Sequence, residues 1–91
     1  MVRVGLLGAG RIGHVHAKSI AAHGGSRLVA ISDVNTAAAE SLAAQYGAEA
    51  ATSEAILADA SIDAVLIATS TDTHSDLIER AVAAGKAVLC E

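Results

Sequence analysis

The sequence predicts an α/β domain built on a doubly wound parallel sheet, and two observations support this fold class. Short apolar runs rich in β-branched residues alternate with longer, alanine-rich stretches of helical spacing. The apolar runs are almost continuous, which is typical of strands covered by helices on both faces. Strands that alternate with helices form parallel sheets through right-handed crossovers. We interpret residues 1–91 as one domain, since the length suits one and not two.

The strands are the β-branched apolar runs, and the fold class gives them the spatial order 3-2-1-4-5. The third strand is a short one near Ala48–Ala51, between Gly47 and the helix that starts at Ser53. The five predicted strands are Val2–Leu7, Leu28–Ser32, Ala48–Ala51, Ala64–Ala68 and Ala87–Cys90.

The helices are bounded by residues that commonly begin and end them. Thr36 is expected to cap the second helix, and Gly47 to end it in the left-handed conformation. Gly85 is expected to end the last helix. The predicted helices are Arg11–Ala22, Thr36–Tyr46, one or two turns from Ser53, and Asp72–Ala84.

The composition excludes several classes of function. Tyr46 is the single aromatic residue, so a stacking platform for single-stranded nucleic acid is absent. A formal net charge of −4, with six scattered basic residues, opposes binding to nucleic acid or to an anionic membrane. One cysteine, Cys90, cannot form an internal disulfide, and no apolar run has the length of a membrane span. We therefore expect a cytoplasmic protein.

A glycine motif carries the main functional signal. It follows the first predicted strand and opens the first helix, which is the context of a dinucleotide-binding loop. Gly8 is expected to permit the tight turn, Gly10 to let a pyrophosphate approach the backbone, and Gly13 to let helix and strand pack closely. The free N–H groups at the helix start then face the phosphates. The motif is Gly8, Ala9, Gly10, Arg11, Ile12 and Gly13.

An acidic residue completes the pattern. Asp33 ends the second predicted strand, 20 residues after Gly13. A carboxylate there accepts hydrogen bonds from the adenosine ribose of NAD and repels the 2′-phosphate of NADP. Because Val34 follows, rather than an arginine, NAD is predicted over NADP. Two alternatives stay open: Asp33 only caps the turn before the second helix, or the motif binds FAD, which usually has a glutamate at this place.

The segment after the fourth strand is the other candidate region. Thr69, Ser70, Thr71 and His74 follow a strand next to the first one, at the carboxyl edge where ligands bind in this fold. They are expected to line the nicotinamide side of the site, although capping of the next helix explains part of the pattern. Ser70, Asp72 and His74 could be combined into a catalytic triad, but no nucleophile elbow surrounds Ser70, so we reject that interpretation. The four histidines lack metal-ligand spacing, so we assign no metal ligand and no catalytic residue.

The run Val4–Gly13, followed by His16, resembles the opening of the glucose–fructose oxidoreductase, inositol dehydrogenase and MocA-like family. The segments Ile31–Asn35, Ala68–His74 and Ala84–Glu91 resemble later blocks of the same family in order and spacing. The resemblance covers the whole chain. Within the family, the chain is most similar to the inositol dehydrogenases.

The resemblance implies a Rossmann-type domain and NAD(P)-dependent hydride transfer to or from a hydroxyl of a polyol or sugar. It implies that Gly8–Gly13 hold the pyrophosphate, that Asp33 holds the ribose, and that Thr69–Thr71 and His74 line the nicotinamide. Glu91 corresponds to the glutamate of a Glu-Lys-Pro signature. Family members continue with a substrate domain that carries the catalytic residues. We therefore expect a fragment that lacks the last strand and helix of the domain and is inactive by itself.

Two further functions stay open. The chain is a free-standing nucleotide-binding or redox-sensing module, or it is a self-associating structural scaffold. Ala87–Cys90 is an uncharged strand at the edge of the predicted sheet, and such edges pair with other strands. We therefore expect a homodimer or larger oligomer. Missing helix cover is expected to leave Val65, Ile67, Val88 or Cys90 in water.

Overall fold

The computed structural model describes residues 1–68 and 74–90. In this part of the chain, strands and helices alternate from one end to the other. The strands are β1 (Val2–Leu7), β2 (Ser26–Ser32), β3 (Glu49–Ala50), β4 (Ala64–Ile67) and β5 (Ala87–Cys90). The helices are α1 (Arg11–Ala22), α2 (Thr36–Tyr46), α3 (Ser53–Ala58) and α4 (His74–Ala83).

The strands form one parallel sheet in the order β3-β2-β1-β4-β5, which confirms the predicted topology. Helices cover both faces. On one face, Leu6 and Leu66 of the sheet pack with residues of α1 and α2, such as Leu42. On the other face, Val65 packs with residues of α3 and α4, such as Leu77. This double cover explains why the strand sequences are continuously apolar.

Several element boundaries differ from the prediction: β3 spans Glu49–Ala50 rather than Ala48–Ala51, α4 ends at Ala83 rather than Ala84, and β2 and β4 differ as well. β2 begins at Ser26, earlier than hydropathy indicated, since Ser26 and Arg27 pair with Val2 and Arg3 at the start of β1. β4 ends at Ile67 rather than Ala68. Backbone pairing with β1 therefore extends β2 into polar sequence that a hydropathy pattern does not identify as strand.

The prediction that Thr36 caps α2 is wrong. Asn35 is the capping residue, and its side chain accepts a hydrogen bond from the backbone N–H of Ala38. Asn35 has extended backbone angles, which bring its side-chain oxygen over the first turn, whereas Thr36 is already helical. Gly47 ends the helix with φ at +69°, as predicted.

The expectation that Val65 and Ile67 lie in water is wrong. Both are 0% exposed, because α3 and α4 cover that face of the sheet. Val88 is partly buried against the same cluster, and the side chain of Cys90 lies outside the described part of the structure. In β5 the large apolar side chain of Leu89 is instead 58% exposed.

Candidate functional site

The glycine loop leaves β1 in a conformation that only glycine adopts readily. Gly8 has φ at +119°, and its N–H donates to the carbonyl oxygen of Ser32 at 2.7 Å. A side chain at Gly13 would collide with the carbonyl of Gly8. The turn at Gly8 and the close packing at Gly13 therefore confirm the structural roles that the sequence predicted for these two residues.

The start of α1 lies in open space. Gly10 is the N-cap residue of α1 and has no side chain with which to cap it. A β-carbon built at Gly10 would meet nothing within 4 Å. The first N–H groups of a helix lack acceptors within the helix and attract negative charge. The residues at this helix start therefore fit a bound pyrophosphate.

The Asp33 carboxylate lies beside this helix start. One oxygen accepts a hydrogen bond from the N–H of Ala9 at 2.7 Å, and the other accepts from the N–H of Asn35 at 2.8 Å. Asp33 thus ties the glycine loop to the turn that follows β2. It organises this turn without capping α2, because Asn35 does that. Each carboxylate oxygen can accept further hydrogen bonds, so the group remains suited to a ribose diol.

A cavity of about 600 Å³ opens beside Asp33. Its volume lies within the range of small-molecule sites. The glycine loop, the end of β2, the start of α3, and Leu77 and Arg80 of α4 all contribute to its wall. The lining residues are Gly10, Ser32, Asp33, Val34, Thr52, Ser53, Glu54, Ala68, Leu77 and Arg80.

Of the ten lining residues that the structure describes, only Gly10, Asp33 and Val34 were predicted as site residues from the sequence. Thr52, Ser53 and Glu54 begin α3, while Leu77 and Arg80 lie on α4. The available signal was topological: the helix that follows a strand starts at the same edge of the sheet as the glycine loop. The α3 residues are ordinary helix-start residues, and Arg80 lies in the last turn of α4, so none of them gave a chemical signal of its own.

Several predicted site residues cannot be placed against this cavity. Thr69, Ser70, Thr71 and Glu91 lie outside the described residues. His74 begins α4, but its side chain is outside the description as well. The predicted lining of the nicotinamide side by these residues therefore stays a prediction.

Within residues 1–68 and 74–90, no group of histidine, cysteine, aspartate and glutamate side chains is placed to hold a metal ion. Likewise, none of the helices described there is long and apolar enough to cross a membrane. The described site combines backbone donors and the anchored Asp33 carboxylate with a partly apolar cavity that the charged side chains of Glu54 and Arg80 also line.

Residues 2–91 match the family described as "Oxidoreductase family, NAD-binding Rossmann fold". The chain belongs to this oxidoreductase family. An inositol 2-dehydrogenase of Rhizobium meliloti (strain 1021) is 60% identical over 90 residues. The match covers 99% of this chain but 27% of that protein. The chain thus spans about a quarter of the length of this relative of the oxidoreductase family.

Two similar structures of this oxidoreductase fold contain a nicotinamide dinucleotide. A myo-inositol dehydrogenase from Lactobacillus casei, in complex with NAD(H) and myo-inositol, aligns with a TM-score of 0.93 at 26% identity. A 3-ketoreductase from Actinomadura kijaniata, in complex with NADP, aligns with a TM-score of 0.91 at 27% identity. The alignments cover 99% and 98% of this chain and 28% of each of the two proteins.

Proposed function

We propose that this chain binds NAD and serves as the dinucleotide-binding domain of an enzyme that oxidises inositol or a similar polyol. The observation that carries the proposal is the uncapped start of α1, with open space at Gly10 and the carboxylate of Asp33 beside it. The names and the bound dinucleotides of similar proteins support the same function.

The pyrophosphate binds at residues 8–13 in this proposal. Its negative charge faces the backbone N–H groups and the positive end of the α1 dipole. Gly10 admits the phosphate because nothing occupies the space where its β-carbon would lie. Ala9, Arg11 and Ile12 belong to the same binding segment through their backbone.

The adenosine ribose binds to Asp33, and we propose a preference for NAD over NADP. A smaller cavity of about 210 Å³ is lined by both Asp33 and Glu40. A 2′-phosphate bound here would lie near two carboxylates, with the uncharged Val34 in place of a cationic partner. Electrostatic repulsion therefore favours a free 2′-hydroxyl group.

The nicotinamide side is proposed to include Thr69, Ser70, Thr71, His74 and Glu91, as the resemblance to the family implies. When bound, NAD accepts a hydride from the carbon that carries the substrate hydroxyl. The chain's own residues hold and orient the dinucleotide. Removal of the hydroxyl proton needs a base, and we assign none among the described residues. We therefore expect the 91-residue chain to bind NAD without oxidising inositol.

Calorimetric titration with NAD and NADP tests the proposal. We expect Asp33→Ala to weaken NAD binding by about tenfold, which corresponds to the loss of one or two charged hydrogen bonds. The affinity gap between NAD and NADP should narrow. Asp63→Ala is the matched control. Asp63 also accepts a hydrogen bond from a backbone N–H, that of Arg3, but it lies at the amino ends of the strands, away from the proposed site. Equal NAD affinity of Asp33→Ala and the parent chain would exclude the ribose role.

We also propose that the chain acts in the cytoplasm and self-associates through β5. This strand is the last of the described sheet and pairs there with β4, while Leu89 is 58% exposed. An exposed strand edge can pair with a second copy. Sedimentation at micromolar concentration should give at least the mass of a dimer, and Leu89→Lys should shift it towards the monomer. A monomer mass for the parent chain would reject self-association.

A further inference from the structure

Arg80 of α4 lines the same cavity as Asp33. Its Nη1 atom lies 3.7 Å from Oε1 of Glu54 on α3 and 3.7 Å from Oδ2 of Asp76, one turn earlier on α4. Contacts of this length are ion pairs rather than hydrogen bonds. The guanidinium has five N–H donors in a planar group, so it can still donate short hydrogen bonds to a ligand.

These ion pairs contribute little to folding. The side chain of Arg80 is 40% exposed, and those of Glu54 and Asp76 are 71% and 72% exposed. Exposed pairs of this kind add little to the stability of a protein. Their effect is to hold the guanidinium beside the Glu54 carboxylate at the wall of the cavity, where a donor and an acceptor lie next to each other.

The rest of the cavity suits a flat ring. Val34, Ala68 and Leu77 supply apolar surface from three different elements of the site. Adenine has apolar faces and a polar edge, on which the N1 acceptor lies beside the 6-amino donor. A donor beside an acceptor, as Arg80 and Glu54 provide, is complementary to that edge.

We propose that Arg80 and Glu54 recognise the adenine base of the dinucleotide. Arg80 donates a hydrogen bond to N1, and Glu54 accepts one from the 6-amino group. The inference rests on the proposed function, since it requires a dinucleotide in this cavity. It assigns to α3 and α4 the selection of the base, while the glycine loop and Asp33 select the pyrophosphate and the ribose.

Hypoxanthine provides the matching probe because its hydrogen-bond donor and acceptor are exchanged relative to those of adenine. It carries an acceptor oxygen at position 6 and a donor N–H at position 1. The oxygen then faces the Glu54 carboxylate, and the N–H faces the guanidinium of Arg80. The chain should therefore bind NAD about tenfold more tightly than nicotinamide hypoxanthine dinucleotide, as mispaired hydrogen-bonding groups are costly.

The experiment is a calorimetric titration of the parent chain and two variants with both dinucleotides. Arg80→Met keeps most of the side-chain volume and removes the donors. We expect it to weaken NAD binding by about tenfold and to reduce the preference for NAD over the hypoxanthine analogue to less than about twofold. Arg27→Met is the control, because Arg27 is an exposed residue at the amino end of β2. It should behave as the parent chain does.

Each outcome has a defined meaning. If Arg80→Met binds NAD as tightly as the parent chain, or loses affinity for both dinucleotides equally, base recognition by Arg80 is wrong while the proposed function stands. Glu54→Gln must also reduce the preference for NAD over the hypoxanthine analogue. Because Glu54 is exposed, this substitution should leave the unfolding temperature unchanged. If the parent chain binds neither dinucleotide, the proposed function itself fails, and the inference fails with it.

Discussion

The amino and carboxyl ends of the same sheet use their polar groups differently. At the amino ends, Lys86 is buried, and its ammonium group donates to the carbonyl oxygens of Asp59 at 2.6 Å and Ile62 at 2.8 Å. Nearby, the N–H of Arg3 donates to the Asp63 carboxylate at 2.9 Å. These charged groups bind partners within the chain.

At the carboxyl ends, the polar groups border open space. Gly10 starts α1 without a capping side chain, whereas Asn35 and Thr52 cap α2 and α3 with theirs. The Asp33 carboxylate is anchored by two backbone donors and lines a cavity. The difference indicates that one end of the sheet is built for stability and the other for a ligand.

Gly13→Ala should have the largest effect, because it disturbs both stability and binding. Its β-carbon would collide with the carbonyl of Gly8, which belongs to backbone that cannot move freely. We expect a loss of about 3 kcal/mol in the free energy of unfolding, which lowers Tm by more than about 10 °C. Thermal unfolding followed by circular dichroism measures this. Gly24→Ala is the control, since a β-carbon there meets nothing within 4 Å.

Lys86→Met should lower the stability of the fold without changing NAD binding, because Lys86 lies at the amino ends of the strands. The variant keeps the apolar stem of the side chain but leaves the carbonyl oxygen of Ile62 without the ammonium donor. We expect a loss of about 2 kcal/mol in the free energy of unfolding and no change in NAD affinity. Lys18→Met is the control, because Lys18 is exposed on α1. A large loss of NAD affinity in Lys86→Met would contradict the separation of stability and binding.

Ser61→Ala should have the smallest effect, and it depends on pH. Hydrogen bonds from the side chain and backbone of Ser61 hold the pKa of Asp59 below its ordinary value. A lowered pKa stabilises the fold above the unfolded pKa of the carboxyl group, and this stability disappears as the pH falls through the folded pKa. The variant should have a slightly lower Tm at neutral pH. The difference should shrink between about pH 5 and about pH 2; a gap that widens on acidification would show that the sign is wrong.

The features that the sequence predicted depend on local signals. The positions of Gly8, Gly13 and Gly47 were predicted with their roles, because each needs a backbone conformation or a close approach that only glycine tolerates easily. The strand order followed from the doubly wound fold class that the alternation of strands and helices predicts.

The features that were missed depend on contacts between distant segments. Lys86 is buried at the amino ends of the strands because its ammonium group bonds carbonyl groups that precede β4. Arg80 and Glu54 form an ion pair at the wall of the cavity, and neither residue belongs to a recognisable sequence motif. The cap of α2 is Asn35 instead of Thr36. The sequence could have indicated either residue, since both types cap helices well.

Gly10→Ala is the sharpest test of whether the open start of α1 binds the pyrophosphate of NAD. Gly10 has φ at −78° and ψ at −163°, which alanine also adopts, and its β-carbon would meet no protein atom within 4 Å. The variant should therefore keep the parent's Tm, yet bind NAD at least about tenfold more weakly, because a methyl group occupies the space of the phosphate. Gly24→Ala should bind NAD as the parent chain does. A Gly10→Ala variant that binds NAD with the parent's affinity would contradict the account.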